Sequence, residues 1–457
     1  MSSLLACLAI LASGWSLGLL LGMPHGATFG FRFGASWVLG LAVRGSLGFL
    51  LVLAGVIPAW WTDFAIAAAL AGCAAVRARV RTEARARSHP AVETVPWSRP
   101  ARLLGAATLL ALAFSAVTSW LEPVVEWDTL AIWGLKAKAL ATAPLGDTSL
   151  LRDPALAYAH LDYPLLWPLA LAADPAFADR TALSPGKSFG PMTLAAIVAL
   201  VFTSIPLLST GGRRVARMAA LSSALLVATL PVAQQESSRL LADLPLALFF
   251  LFAAVTADLA LRSRDAAAAR LACIGIGALP LVKNEGTAIC LALLGATLVA
   301  GWRSGRKRLP LLWLASTILV AGPWLAYRAT LPRFHHNSEL DLTLARLAAN
   351  LGRLPELLTG GLRSLVEFPD WGLFWLLIAL GIGARIATRA RPRERSLLGW
   401  LLLAPVPFYL AALVANGWDP APLLEFSFNR LALGFAPLAA VWSALELARH
   451  APRAAEG

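Results

Sequence analysis

Long apolar runs alternate with short clusters of charge along nearly the whole chain. From residue 103 onward, apolar residues fill 103–120, 192–208, 218–232, 243–261, 271–302, 309–330, 373–384, 397–415 and 431–447. Many of these reach or approach the roughly 18–20 residues that carry a helix across a hydrocarbon core. They do not alternate apolar with polar, as the strands of a membrane β-barrel do. The run 271–302 begins and ends at basic loops, so the chain must reverse inside it. Its polar break, Val282-Lys283-Asn284-Glu285-Gly286, predicts two short helices forming a hairpin. Before residue 77 the pattern is less regular. Apolar stretches cover 3–21, 46–61 and 64–76, with Arg32 and Arg44 between them. Three crossings are expected there, with the glycine- and aromatic-rich stretch 26–40 as an interfacial segment. The first stretch lacks a positive n-region and a small-residue cleavage site, so it is expected to be a retained helix.

These elements predict an all-α polytopic membrane protein with about thirteen transmembrane or half-membrane helices. Residues 1–102 would form N-terminal membrane helices and a basic cytoplasmic loop. Residues 103–450 would form the main transmembrane region, and 451–457 a cytoplasmic tail. Two large external segments are expected, 121–191 and 331–371.

Composition agrees. Of 457 residues, 58% are hydrophobic and only 14% charged. The net charge of +13 would suit a nucleic-acid partner. Its distribution points instead to topology, because the arginines sit in short loops between apolar runs, as the positive-inside rule requires. The loop 77–102 holds seven arginines against Glu83 and Glu93. No nucleic acid is therefore expected. Cys7, Cys73, Cys273 and Cys290 lie in apolar runs without metal-ligand spacing and read as small buried hydrophobes.

Polar groups next to the predicted membrane ends gather on the external side. They include Glu126 and Asp128, His160, Asp162 and Tyr163, the stretch 234–239 with Asp243, Lys283 and Glu285, His335 and His336, and Glu425 with Arg430. Charges at the edge of spans are expensive and tend to face a bundle interior or a wet cavity. If 128–140 is helical, Leu130, Trp133, Ala137 and Leu140 make an apolar stripe, suited to a helix lying on the membrane surface. Asp128 and Lys136 then share a neighbouring line about 12 Å apart, too far for a salt bridge but placed to grip two parts of one ligand. Alternatively, Asp128 is an N-cap and Glu126 a partner of the helix dipole. Asp243 and Pro245 fit the start of a helix. Lys283 is either part of a neutralised turn or a cation pointing at a phosphate. Arg430 begins the last helix, where a cation is unfavourable, so an anionic partner is expected, Glu425 or a ligand. No Walker loop, HExxH, GxSxG or CxxC pair is present. His335-His336 lacks zinc spacing, and no metal or cofactor is assigned.

In order along the chain, these motifs resemble the GT-C superfamily of polyprenyl-phosphate-dependent glycosyltransferases, in particular the group of protein O-mannosyltransferases and aminoarabinose transferases. Glu126-Trp127-Asp128 resembles their acidic motif in the first external loop. His160-Leu161-Asp162-Tyr163-Pro164-Leu165 is similar to a divergent form of their His/Pro-Pro-Leu turn. The later matches are the turn 238–245, the break 281–286, and Asn429-Arg430 before Pro437.

The resemblance implies an inverting sugar transfer from a polyprenyl-phosphate donor to an envelope glycan, lipid or protein acceptor, at the outer face of the inner or plasma membrane. Asp128, or Glu126, would be the general base. Lys136, Lys138, Arg239, Lys283 and Arg430 would bind the donor phosphate. His160, Asp162, Tyr163, Asp243 and Glu285 would line the acceptor side. Besides a non-catalytic assembly factor for envelope polysaccharide, which would not need Asp128, two alternatives remain open from sequence. One is a polysaccharide polymerase or ligase using Arg333, His335, His336 and Arg346. The other is a non-enzymatic transporter or flippase of lipid-linked sugars.

Overall fold

The computed structural model describes residues 2–56, 59–82, 97–142, 147–179, 185–332, 342–387 and 397–450. Arg333, His335 and His336 lie outside the described residues, as do most of the loop 77–102 and the tail 451–457. Among the described residues the secondary structure is helical, with no β-strand.

Among the described residues nine helices are long and apolar enough to cross a membrane, or up to eleven if each of two bent pairs is one span. This is a polytopic, membrane-embedded protein. The long helices include α1 (Ser2–Leu21), α2 (Phe29–Leu53), α3 (Trp60–Thr82), α4 (Arg99–Leu121) and α5 (Phe189–Leu208). Next comes a bent pair, α6 (Arg213–Ala228) and α7 (Pro231–Arg239), turning through 56°. Then follow α8 (Asp243–Ser263), α9 (Ala266–Val282), α10 (Asn284–Arg303) and α11 (Arg308–Arg328). The shorter α12 (Phe374–Ala387) leads to α13 (Leu397–Ala415). A second bent pair closes the chain: residues 420–433, ending in α14 (Asn429–Leu433), meet α15 (Ala436–His450) at about 50°. The expected total of thirteen is reached only if the short α9 and α12 also cross.

The core is built on α8. Every residue from Asp243 to Leu261 is buried. A helix apolar all round has no preferred outer face and is stable only when neighbours surround it. Here α9, α5 and α15 pack on it. In lipid, such packing depends on close contact between helices rather than on excluding water, which favours small residues at the crossings. One crossing is decisive for the site. A Cβ on Gly286 would overlap the Leu279 carbonyl, so α9 and α10 fold back on each other around Lys283. The reversal matches the expected hairpin. The arms are longer than expected, at 17 and 20 residues, and α10 alone could span.

Two sequence expectations are corrected in the N-terminal third. The stretch 26–40 is not interfacial: most of it belongs to α2, which runs unbroken to Leu53 and is largely buried. Arg44 is not a loop charge but sits inside α2. Its Nη1 donates to Asp63 Oδ2 at 2.9 Å and its Nε to the Leu169 carbonyl at 2.9 Å. Of the four cysteines, Cys7 and Cys290 are buried, but Cys73 is exposed and Cys273 half-buried.

The helix ends sort into two faces. On one, Arg77 and Arg270 donate to the carbonyls of Leu20 and Leu21, the His25 amide donates to Asp265, and Arg306 donates to Ala260. Among the described residues this face carries Arg77, Arg270 and Arg306 at the helix ends. At the opposite face lie the ends of α4, α7, α9 and α11, the starts of α8 and α10, and α14. The segment after α4 meets the end of α11 there, through Arg152 to Thr330 and Tyr327 to Thr148.

Candidate functional site

The second face carries a connected set of charges from five separate segments. Asp243, the first residue of α8, is its centre. Its Oδ1 accepts from Lys283 Nζ at 2.9 Å. Its Oδ2 accepts from Arg430 Nε and Nη2 at 3.2 and 3.1 Å. Arg430 then turns its remaining edge outward, and Nη1 donates to Asp128 Oδ2 at 2.6 Å. Lys283 also pairs with Glu285 at 2.9 Å. Alongside lies a looser chain, Glu126 to Arg239 at 3.9 Å and Arg239 to Glu236 at 3.6 Å.

Local structure places each group. Lys283 is the single extended residue between two helices, which frees its side chain from either helical face. Arg430 lies in the short helix α14, ahead of α15. That helix is tied down by Trp371 Nε1 donating to Asn429 Oδ1 at 2.9 Å and Asn429 Nδ2 to Asp370 at 2.7 Å. Asp128 precedes a π-helical turn, Thr129–Gly134, which Thr129 anchors by donating to the Arg239 carbonyl.

The set is graded in depth. Asp243 is 1% exposed and Glu236 is buried with it, whereas Asp128 and Arg430 are 27% and 22% exposed. Both Glu236 carboxylate oxygens are buried and accept no hydrogen bond among the described residues. The floor is therefore fixed and the rim is open. Such a rim offers guanidinium donors to an anion and a carboxylate able to take a proton.

A second group sits beside it. Asp162 Oδ2 accepts from Arg328 at 2.8 Å and from Asn284 Nδ2 at 3.2 Å. Asn284 neighbours Lys283, so the two groups join through the α9–α10 turn. His160 is left-handed, with φ of 47°, and its ring stacks on Tyr163 at 4.8 Å. Burial, helped by Glu285, pushes the Tyr163 hydroxyl well above its usual range.

Of the residues singled out from sequence, the structure gathers Glu126, Asp128, Arg239, Asp243, Lys283, Glu285 and Arg430. Asp162 adjoins them through Asn284, and Tyr163 and His160 stand next to Asp162. It does not gather Lys136 or Lys138. Lys136 is fully buried; its Nζ donates to the His160 carbonyl at 2.6 Å and lies over the Trp133 and Tyr163 rings. Lys138 is exposed and joins no ion pair among the described residues. The π-turn is the reason: its wider repeat breaks the 3.6-residue spacing on which the Asp128–Lys136 line depends. The same shift leaves Leu130 exposed while Trp133, Ala137 and Leu140 are buried, so the expected surface stripe is not continuous.

Asp128 is not an N-cap either. It has helical φ and ψ, and its side chain makes no capping bond. Asp243 likewise follows the capping position and spends its side chain on Lys283 and Arg430. Arg430 has the expected anionic partner, but it is Asp128 and Asp243 rather than Glu425, which is exposed. Arg346, exposed in Leu344–Asn350, forms no ion pair with these groups among the described residues.

Three contributors escaped the sequence reading. Glu236 lies in the polar stretch 234–239 but carries no role in the sequence reading; that stretch is helical to Arg239, which sets Glu236 and Arg239 one turn apart. Asn284 is hidden inside the break. Arg328 ends α11, and strict alternation of the spans would have placed it on this face. Among the described residues no three His, Cys, Asp or Glu side chains are grouped as a metal site would need. No known protein family, curated protein or solved structure matches the chain.

Proposed function

We propose that the chain is an integral membrane glycosyltransferase. It moves a sugar from a polyprenyl-phosphate donor to a glycan, lipid or protein acceptor of the envelope. The supporting observation is the meeting of Asp128, Asp243, Lys283 and Arg430, whose bonded pairs lie 40 to 302 residues apart in sequence, at one end of the bundle. Ionic groups are expensive at a membrane edge and are kept there for a ligand or for structure. The open rim of this group favours the ligand. The described basic helix ends, with Arg77, Arg270 and Arg306, lie at the other face, so by charge bias the cluster faces the outside or periplasm.

In this reading the lipid tail of the donor stays in the bilayer and its phosphate meets Arg430 and Lys283. Asp128 removes the proton from an acceptor hydroxyl or amine as that atom attacks the anomeric carbon from the side opposite the phosphate. The bond from the anomeric carbon to the phosphate oxygen breaks, and its electron pair leaves with the polyprenyl phosphate. The cations stabilise the charge that grows there. The sugar is delivered with inversion, and the proton remains on the carboxylate until it is released. Transfer from a radiolabelled polyprenyl-phosphate sugar in membranes containing the protein tests the reading. Absence of transfer across several donors and acceptors removes it.

The two bent spans, at 56° and 50°, favour a second reading, a transporter or flippase of lipid-linked sugars. Movement of such a lipid across proteoliposomes, with no glycosidic product, would select it.

A further inference from the structure

We infer that Asp128 is a latch on the phosphate site, and that the donor phosphate binds Arg430 by taking the place of the Asp128 carboxylate. The inference rests on the glycosyltransferase reading and adds how the site is opened.

Three features point to exchange at this bond. First, Arg430 has two unlike partners. Asp243 is buried, holds Arg430 through two nitrogens, and is itself held by Lys283. Asp128 meets Arg430 through one oxygen from a separate segment, at the rim. The second contact can be given up without disturbing the first. Second, a phosphate oxygen seeks the same N–H donors as a carboxylate, so both compete for Nη1. Third, the formal charges leave no room for both anions. Arg239, Lys283 and Arg430 face Glu126, Asp128, Glu236, Asp243 and Glu285. The carboxylates outnumber the cations, so an entering phosphate is repelled unless one withdraws. Asp128 is the one whose contact is single and exposed. The exchange also couples two events: phosphate on Arg430 frees the Asp128 oxygen that must accept the acceptor's proton.

The test is equilibrium binding of a radiolabelled polyprenyl monophosphate, with no sugar and no turnover, to the full-length protein in nanodiscs. Asp128→Asn removes the competing charge and is expected to bind about three- to tenfold tighter, between the worth of an exposed ion pair and that of a charge-assisted hydrogen bond. Asp128→Glu keeps the competitor and should bind like the unmodified protein. Glu126→Gln removes an equal charge that pairs with Arg239 instead, and should tighten binding less. If Asp128→Asn does not reach the membrane, Asp128→Ser takes its place. Unchanged or weaker binding by the variant overturns the latch, and so does equal tightening in Glu126→Gln, which makes the effect one of general field. No binding by any form, the unmodified protein included, removes the glycosyltransferase reading itself.

Discussion

Two buried ionic centres in this bundle use the same chemistry to opposite ends. Arg44 and Asp63 join α2 to α3, and both are almost completely buried. Arg44 also donates to Thr62 and to the carbonyls of Ala59 and Leu169, so its planar fork is spent on protein. Arg430 has a comparable fork, but one edge is anchored on buried Asp243 and the other meets Asp128 at an open rim. The first centre ties segments together. The second is built like a site, with a fixed floor and an exchangeable edge. The difference teaches that an ion pair near a membrane is read by the depth of each partner and by how many acceptors share the cation, not by its distance.

The largest effects should separate the two centres by what fails. Asp128→Asn is expected to fold, because the residue is partly exposed and isosteric, while transfer falls by roughly 10²–10⁴, the usual worth of a positioned base. The measurement is sugar transfer per folded protein in membranes. Near-normal transfer would move the base to Glu126. Arg44→Met should do the reverse. It strands the Asp63 carboxylate in the interior, a loss of about 3–5 kcal/mol. Thermal unfolding in detergent should show it, and adding Asp63→Leu should recover much of the loss. If Arg44→Met is as stable as the parent, the contrast between the centres fails.

Within the cluster the expected effects grade with depth. Lys283→Ala removes a nearly buried donor shared by Asp243 and Glu285. Donor affinity should fall about ten- to a hundredfold, the range for hydrogen bonds to charged groups. Asp162→Asn touches a pair whose arginine is a third exposed, and exposed pairs contribute only about 0.2–1 kcal/mol, so a change of a few-fold is expected. A larger loss for Asp162 than for Lys283 would invert the assignment of floor and rim.

The sequence alone made the helical, membrane-embedded class legible, because uniform apolar runs such as that of α8 permit little else. The gathering of Asp128, Asp243, Lys283 and Arg430 on one face was also legible, through alternation of spans between basic loops. What escaped has local causes. Glycines 34 and 40 suggest an irregular interfacial stretch, yet they mark places where α2 meets α5 and α1 too closely for a side chain. Arg44 looks like a loop charge because its partner lies nineteen residues away, on another helix. The Lys136 error came from a π-turn, whose register no pattern of apolar spacing announces.

Lys136 provides the smallest effect and the finest test of that register. Sequence spacing would set it on the ligand; the structure sets it under the His160 turn, where it joins no ion pair with the cluster's carboxylates among the described residues. Lys136→Met fills the same volume, so transfer should stay within a few-fold of normal. Its stability should carry a pH signature. Burial pushes the ammonium down to about 7, with Asp162 opposing, against an ordinary value of 10.5. Between those two values the unfolded chain holds the proton and the folded protein does not, so the parent gains stability as pH rises through that window. Below it both states are protonated and the dependence disappears. Methionine has no proton to lose, so the unfolding temperature of the parent relative to Lys136→Met should climb from pH 7 to pH 10. A flat difference would mean that the His160 carbonyl and the two rings keep the ammonium charged. A large loss of transfer at unchanged stability would return Lys136 to the phosphate site and undo the register argued from the π-turn.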